Sequence, residues 1–289
     1  MAQLTLDCSG DNLLHVRNLI GVSYTRTAQS PGVFPTVSQE GGVAPVAIRR
    51  VVLYFNELGG IPANAGITAA ALRITVHDFD APGENPTDVM TPSSQVVIGS
   101  SDQVLYDAVG DGTIDVQRDL FLQNPDEEVT ANLIGGSIVA AIQAQLDAAS
   151  GFVVVALKQD DETVEQAVRL GDVAAAHLDV TYTPPPTANA GLDQSVLDEH
   201  NVQLAGAATN AASTLWTTNG TGTFDDAASL NAMYTPSAAD ISDRKVILTL
   251  TAEPIAPCVV SASDEMTVGI TITALVPIIG TGGMVRVEK

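Results

Sequence analysis

Basic residues are scarce in this chain. Twelve Lys and Arg stand against thirty-four Asp and Glu, a formal net charge of −22 over 289 residues. A surface of that sign repels phosphate backbones, so nucleic acid is not an expected partner. Aromatic residues make up only 4%, with Trp216 the sole tryptophan, which argues against a sugar-stacking catalytic cleft. Cys8 and Cys258 are too few for a disulfide framework, and each reads as a small buried or half-exposed thiol in its own domain. No apolar run reaches the roughly 20 residues of a membrane span, so no membrane insertion is expected. The opening Met-Ala-Gln-Leu-Thr-Leu-Asp has neither a basic n-region nor an apolar h-region, so no signal peptide is expected. Also missing are a P-loop, Gly-x-Ser-x-Gly, His-Glu-x-x-His, zinc-spaced cysteines and a Rossmann fingerprint. The expectation is a protein that is not an enzyme.

What is present is strand chemistry. Val, Ile, Thr, Ala and Gly dominate, a balance that suits short strands and tight turns. The length accommodates two domains, each able to bury a core. Pro184, Pro185 and Pro186 cannot donate ladder hydrogen bonds and favour an extended spacer. The reading is all-β: a jelly-roll-like sandwich with one short helix over 1–183, a proline-rich linker over 184–190, an Ig-like sandwich over 191–275 and a tail over 276–289. By segment, 1–183 carries 23 acids and 8 bases, 184–275 carries 10 and 2, and 276–289 carries 1 and 2.

In the first domain, Gln3–Leu6, Leu13–Arg17 and Arg49–Phe55 read as strands, and Ala71–Val76 alternates with Leu72, Ile74 and Val76 on one face. Ile138, Ile142 and Leu146 recur every four residues among good helix formers, which predicts a helix with Ser137 as its cap. The run Leu53, Phe55, Leu58, Ile61, Pro62, Ala65, Ile67, Ala70, Leu72, Ile74, Val76 resembles the DNRLRE-type β-sandwich domains of secreted and surface proteins. Glu128–Thr130, the helix and Gly151–Leu157 match that family's later half, and 85–125 does not match it. The resemblance implies a surface-type sandwich and permits sugar binding, since some relatives are carbohydrate-binding modules.

Asp107, Asp111 and Asp115, in a stretch that superficially looks like a calcium loop, are the candidate calcium ligands, because converging carboxylates can bind a hard divalent cation. The loop lacks the bidentate Glu that closes an EF-hand, and a solvated acidic loop is the alternative. His77 and His177 stand alone in strand-like contexts and read as packing or surface residues.

From Thr187 onward, short alternating strands recur about every ten residues between Gly, Asn and Asp, the pattern of an Ig-like sandwich. Trp216 falls mid-strand and is expected in its core. Ala188–Gln194, Gly220–Phe224 and Tyr234–Asp240 together resemble a diverged subtype of the PKD-like repeats of bacterial surface proteins, which implies a spacer or adhesion module. In the tail, Met284, Val285, Arg286 and Val287 alternate. They either fold back as an edge strand of their own domain or add a strand to a partner.

These features together lead us to expect a virion display protein, a capsid-decorating or fibre-like accessory made in the cytoplasm and released by lysis. Its partners would be a major capsid or other virion protein and further copies of itself, with calcium the one possible ion. The alternative is an extracellular adhesin or carbohydrate-binding protein that meets a cell-surface polysaccharide.

Overall fold

The computed structural model describes residues 1–8, 13–19, 23–28, 36–40, 47–79, 87–92, 95, 113–116, 127–133, 136–159, 166–170, 176–198, 200–277 and 284–288. Strand accounts for 53% of the chain. An average globular domain has about 20–25%, so the all-β class holds. The chain divides into two compact units, Met1–Tyr182 and Thr183–Lys289.

The first unit contains β1 (Ala2–Cys8), β2 (Leu13–Leu19), β3 (Ser23–Ala28), β4 (Thr36–Glu40), β5 (Ala47–Phe55), β6 (Gly66–Phe79), β7 (Thr87–Thr91), β8 (Thr113–Val116), β9 (Glu127–Asn132), α1 (Ser137–Asp147), β10 (Val153–Gln159), β11 (Gln166–Leu170) and β12 (Ala176–Thr183). Two long strands organise the pairing. β5 pairs with β2, β10 and β4, while β6 pairs with β9, β12 and β11. β4 and β11 pair with each other and join the two groups into one twelve-stranded assembly. Alternate residues of both groups meet in one apolar interior: Leu53 and Phe55 from β5, Val155 from β10, Leu72 from β6, and Leu178 from β12. Each such side chain contributes about 1.5–3 kcal/mol by leaving water.

Nine of the eleven residues in the long run from Leu53 to Val76 belong to this interior. That pattern is therefore a packing pattern. Val52, Tyr54, Val154 and Ala156 on the opposite face of β5 and β10 are buried too, which explains why both strands read as unbroken apolar runs.

The predicted helix is α1, with Ile138 and Ile142 buried and Leu146 partly so. Its start needs one correction. Ser137 is the first helical residue, and the capping position falls to Gly136 in a left-handed conformation (φ 70°), with no side-chain cap. Gln143 docks the helix on β6: its Oε1 accepts from the Ile67 amide at 2.9 Å and its Nε2 donates to the Ala65 carbonyl at 3.1 Å. Gln95 treats β10 the same way, accepting from the Val154 amide at 2.7 Å and donating to its carbonyl at 3.3 Å. A side-chain amide thus stands in for a neighbouring strand's backbone at Ile67 and at Val154.

The second unit contains β13 (Thr187–Asn189), β14 (Gln194–Leu197), β15 (Val202–Gln203), β16 (Ala207–Thr209), β17 (Ala211–Thr218), β18 (Thr223–Phe224), β19 (Met233–Thr235), α2 (Ala238–Asp243), β20 (Lys245–Pro254), β21 (Ala262–Thr271), β22 (Thr273–Pro277) and β23 (Met284–Glu288). Its main sheet runs β14-β21-β20-β17, with β14 parallel to β21 and the other pairs antiparallel. Trp216, Tyr234, Leu248, Leu250, Met266 and Val268 fill the core. Within the stretch read as a spacer, 184–190, Thr187–Asn189 pairs with Ala207–Thr209, and Pro186 and Ala190 are buried. Half of it is built into this unit's own sheet.

Thr183 and Thr273 lie at opposite ends of β21. The Cys258 thiol, in the loop before β21, donates to the Thr183 carbonyl at 3.0 Å and so fixes the incoming chain there. β21 then runs for ten residues, which is about 30 Å of strand. At its far end the Thr273 hydroxyl donates to Asp198 at 3.0 Å, and β22 begins.

Candidate functional site

The three candidate calcium ligands do not form a describable site. Asp107 and Asp111 lie outside the described residues, and Asp115 is placed by backbone alone in β8. Among the described residues, no group of three or more His, Cys, Asp or Glu side chains gathers to hold a metal. His77 falls in β6 by its backbone. His177 in β12 sits opposite Asp7 in β1, with Nδ1 to Oδ1 at 2.6 Å, in a surface cross-strand pair. Both cysteines are buried thiols outside any disulfide, one in each unit. Burial pushes the Cys8 thiol up to about 12, so it stays protonated and unreactive near neutral pH.

One largely apolar depression with a few polar residues in its lining lies on the first unit where β1, β12 and β6 run side by side. Its volume is about 480 Å³, and Gln3, Thr68, Ala69, Asp179 and Thr181 contribute to its lining. Strand alternation delivers these residues: Gln3 sits opposite Thr181, and Thr5 opposite Asp179. Asp179 receives the Arg73 guanidinium through Nε at 2.6 Å and Nη2 at 3.2 Å, with the Thr5 hydroxyl at 2.5 Å. The Arg73 hydrogen bond holds its carboxyl below the usual carboxylate range; partial burial opposes this, and the Thr5 hydroxyl and Gln3 add to it. The Asp179 carboxylate is therefore an acceptor already satisfied from the strands on either side of it, β1 and β6. What the depression offers a ligand is hydroxyls and small apolar side chains. Composition carries no sign of it, because its members are scattered from position 3 to 181.

The residues that carried the Ig-like pattern converge on one buried node in the second unit. Ser237 caps α2 and accepts from the Asp240 amide, while Asp240 accepts from the Ser237 amide at 2.8 Å, a reciprocal capping box. Asp240 also takes the Thr221 amide at 3.0 Å and the Tyr234 hydroxyl at 2.8 Å. The Tyr234 hydroxyl in turn accepts from the Gly222 amide at 3.1 Å. Burial works against the charge on Asp240, but the Ser237 and Thr221 amides and the Tyr234 hydroxyl hold its carboxyl below the ordinary range. Burial pushes the Tyr234 phenol up. A Cβ on Gly220 would collide with the Asp240 carboxylate, and one on Gly222 with the Tyr234 ring and the Thr235 carbonyl. This arrangement fixes a loop and has no open face for chemistry. Sequence reading missed α2 and the node, although the Ser237-x-x-Asp240 spacing is a cap signature.

The tail residues form β23, which pairs antiparallel with β22: Met284 with Pro277, Val285 with Val276, Arg286 with Leu275 and Val287 with Ala274. Folding back on the chain's own strand is thus realised, and it uses one edge of β23. Met284 is 65% exposed. No helix among the described residues is long and apolar enough to cross a membrane.

No known protein-family profile matches the chain, and no curated protein resembles it in sequence. Among solved structures, a Corynebacterium diphtheriae protein whose name supposes a membrane anchor is similar at 10% identity and a TM-score of 0.21. That match covers 97% of this chain and 61% of the other. So faint a likeness carries no argument about fold or function.

Proposed function

We propose that this chain is a non-enzymatic display protein of a virus particle, a capsid-decorating or fibre-like accessory in which the second unit acts as a spacer. The observation that supports this reading most directly is the polar layout of the second unit. Its incoming chain is fixed beside Cys258 and its outgoing strand leaves past Thr271, at the other end of β21. A module built this way holds the incoming chain at Thr183 apart from its own β22–β23 hairpin. The family resemblances of both halves, to surface sandwiches and to PKD-like repeats, point the same way, and the acidic coat keeps such a protein soluble at high local density. The tail Met284–Val287 is the contact segment. Immuno-electron microscopy with an antibody to the second unit tests the reading. Gold on intact particles is expected, and label confined to cell envelopes contradicts it.

A second reading, an extracellular polysaccharide-binding protein, is favoured by one observation, the depression beside Asp179, in which Gln3, Thr68 and Thr181 interrupt an otherwise apolar lining. It predicts depletion of the protein by an arrayed bacterial polysaccharide. Ala69→Trp, which fills the depression from an exposed position, would abolish that depletion.

A further inference from the structure

We infer that β23 is a seam between two copies of this chain, which pair edge to edge through it into a four-stranded ribbon. The inference rests on the reading of the tail as the contact segment and names its partner. β22 and β23 form a sheet of two five-residue strands, and among the described residues each has one ladder partner. Such a pair is marginal in water by itself, whereas three or more strands with an apolar face are stable. The register sets Ala274 opposite Val287 and Val276 opposite Val285, so those four aliphatic residues share one face of the ribbon. Joining two ribbons through β23 doubles that face and gives the sheet four strands.

The sequence of β23 also selects how two copies meet. In a two-fold antiparallel pairing, directly opposed residues must share a face, so the two-fold axis passes through a residue. Centring it on Arg286 sets Arg286 against Arg286, and centring it on Glu288 sets Glu288 against Glu288. Centring it on Val287 sets Arg286 against Glu288 twice, which is the register with opposed charges. The location fits as well. Two copies of a chain at −22 repel over most of their surface, and this seam falls in 276–289, the one of the chain's segments with more bases than acids.

Sedimentation velocity on the full chain tests the seam, with Arg286→Glu, Glu288→Arg and the double exchange as variants. The wild type is expected to sediment as a dimer at micromolar concentration. Each single exchange sets like charges opposite one another and weakens the dimer about tenfold or more, and the double exchange restores it. Circular dichroism establishes that every variant keeps its strand signal. A monomeric or odd-numbered wild type, single variants that dimerise normally, or a double variant without rescue would each overturn the inference. None of these outcomes decides whether the chain resides on particles, so the display reading stands or falls separately.

Discussion

In the first unit the marked residues, from Leu53 to Ile74, sit in an apolar interior shared by strands and helix. In the second, Gly220, Gly222, Tyr234, Ser237 and Asp240 close on one another through hydrogen bonds. Both units have a packed core, so the difference lies in what holds the loops. The first unit uses a helix and glutamine amides laid along strand edges, which are replaceable contacts of ordinary strength. The second uses a buried carboxylate with three donors, and such a network is costly to break because its members cannot find other partners. Sequence motifs in the two halves therefore mean different things. One marks volume, the other marks geometry.

Emptying each core has the largest expected effect. Trp216→Ala removes the largest buried side chain of the second unit and is expected to cost about 3–5 kcal/mol, while Ile142→Ala under the first unit's helix costs about 2–5 kcal/mol. Scanning calorimetry on the full chain checks both, and each substitution should lower a different transition. Asp240→Asn comes next. An amide cannot accept at both oxygens' places, so either the Thr221 amide or the Ser237 amide and Tyr234 hydroxyl together lose their acceptor, at about 2–3 kcal/mol.

The same residue sets a pH dependence. Its folded-state carboxyl lies below the ordinary value of about 3.9, so its contribution is present above that value and is lost as pH falls through the lower folded one. Wild-type stability of the second unit should fall in that acid window with a steeper slope than that of Asp240→Asn. Equal slopes would show that the node does not set the acid sensitivity. Gln143→Ala is milder, about 1–2 kcal/mol, and should speed hydrogen exchange at the Ile67 amide in particular. Arg73→Ala at the partly buried Asp179 pair should cost about 1 kcal/mol.

Much of this architecture is legible in the sequence. β1, β2, β5, β6 and β10 announce themselves because their residues alternate or run apolar, and α1 because Ile138 and Ile142 recur at helical spacing. The helix cap is not, because a serine beside a left-handed glycine looks like a cap in sequence, while the backbone gives that position to Gly136. Thr187–Asn189 hides behind three prolines, and its partner strand lies some twenty residues on. Asp240 is visible as part of a motif. Its role is not, since Thr221 donates to it from nineteen residues away. β22 is obscured by Pro277, which reads as a breaker and yet ends an edge strand. Local periodicity carries elements. Long-range donors and acceptors carry the reasons they stay in place.

A display scaffold must be present on the particle in a set number of copies. Quantitative mass spectrometry of purified particles, measuring this chain against the major capsid protein, therefore decides whether these two units serve as one. A fixed ratio across preparations is the predicted result. Finding the chain only in secreted or envelope fractions, with none on particles, would contradict the display role.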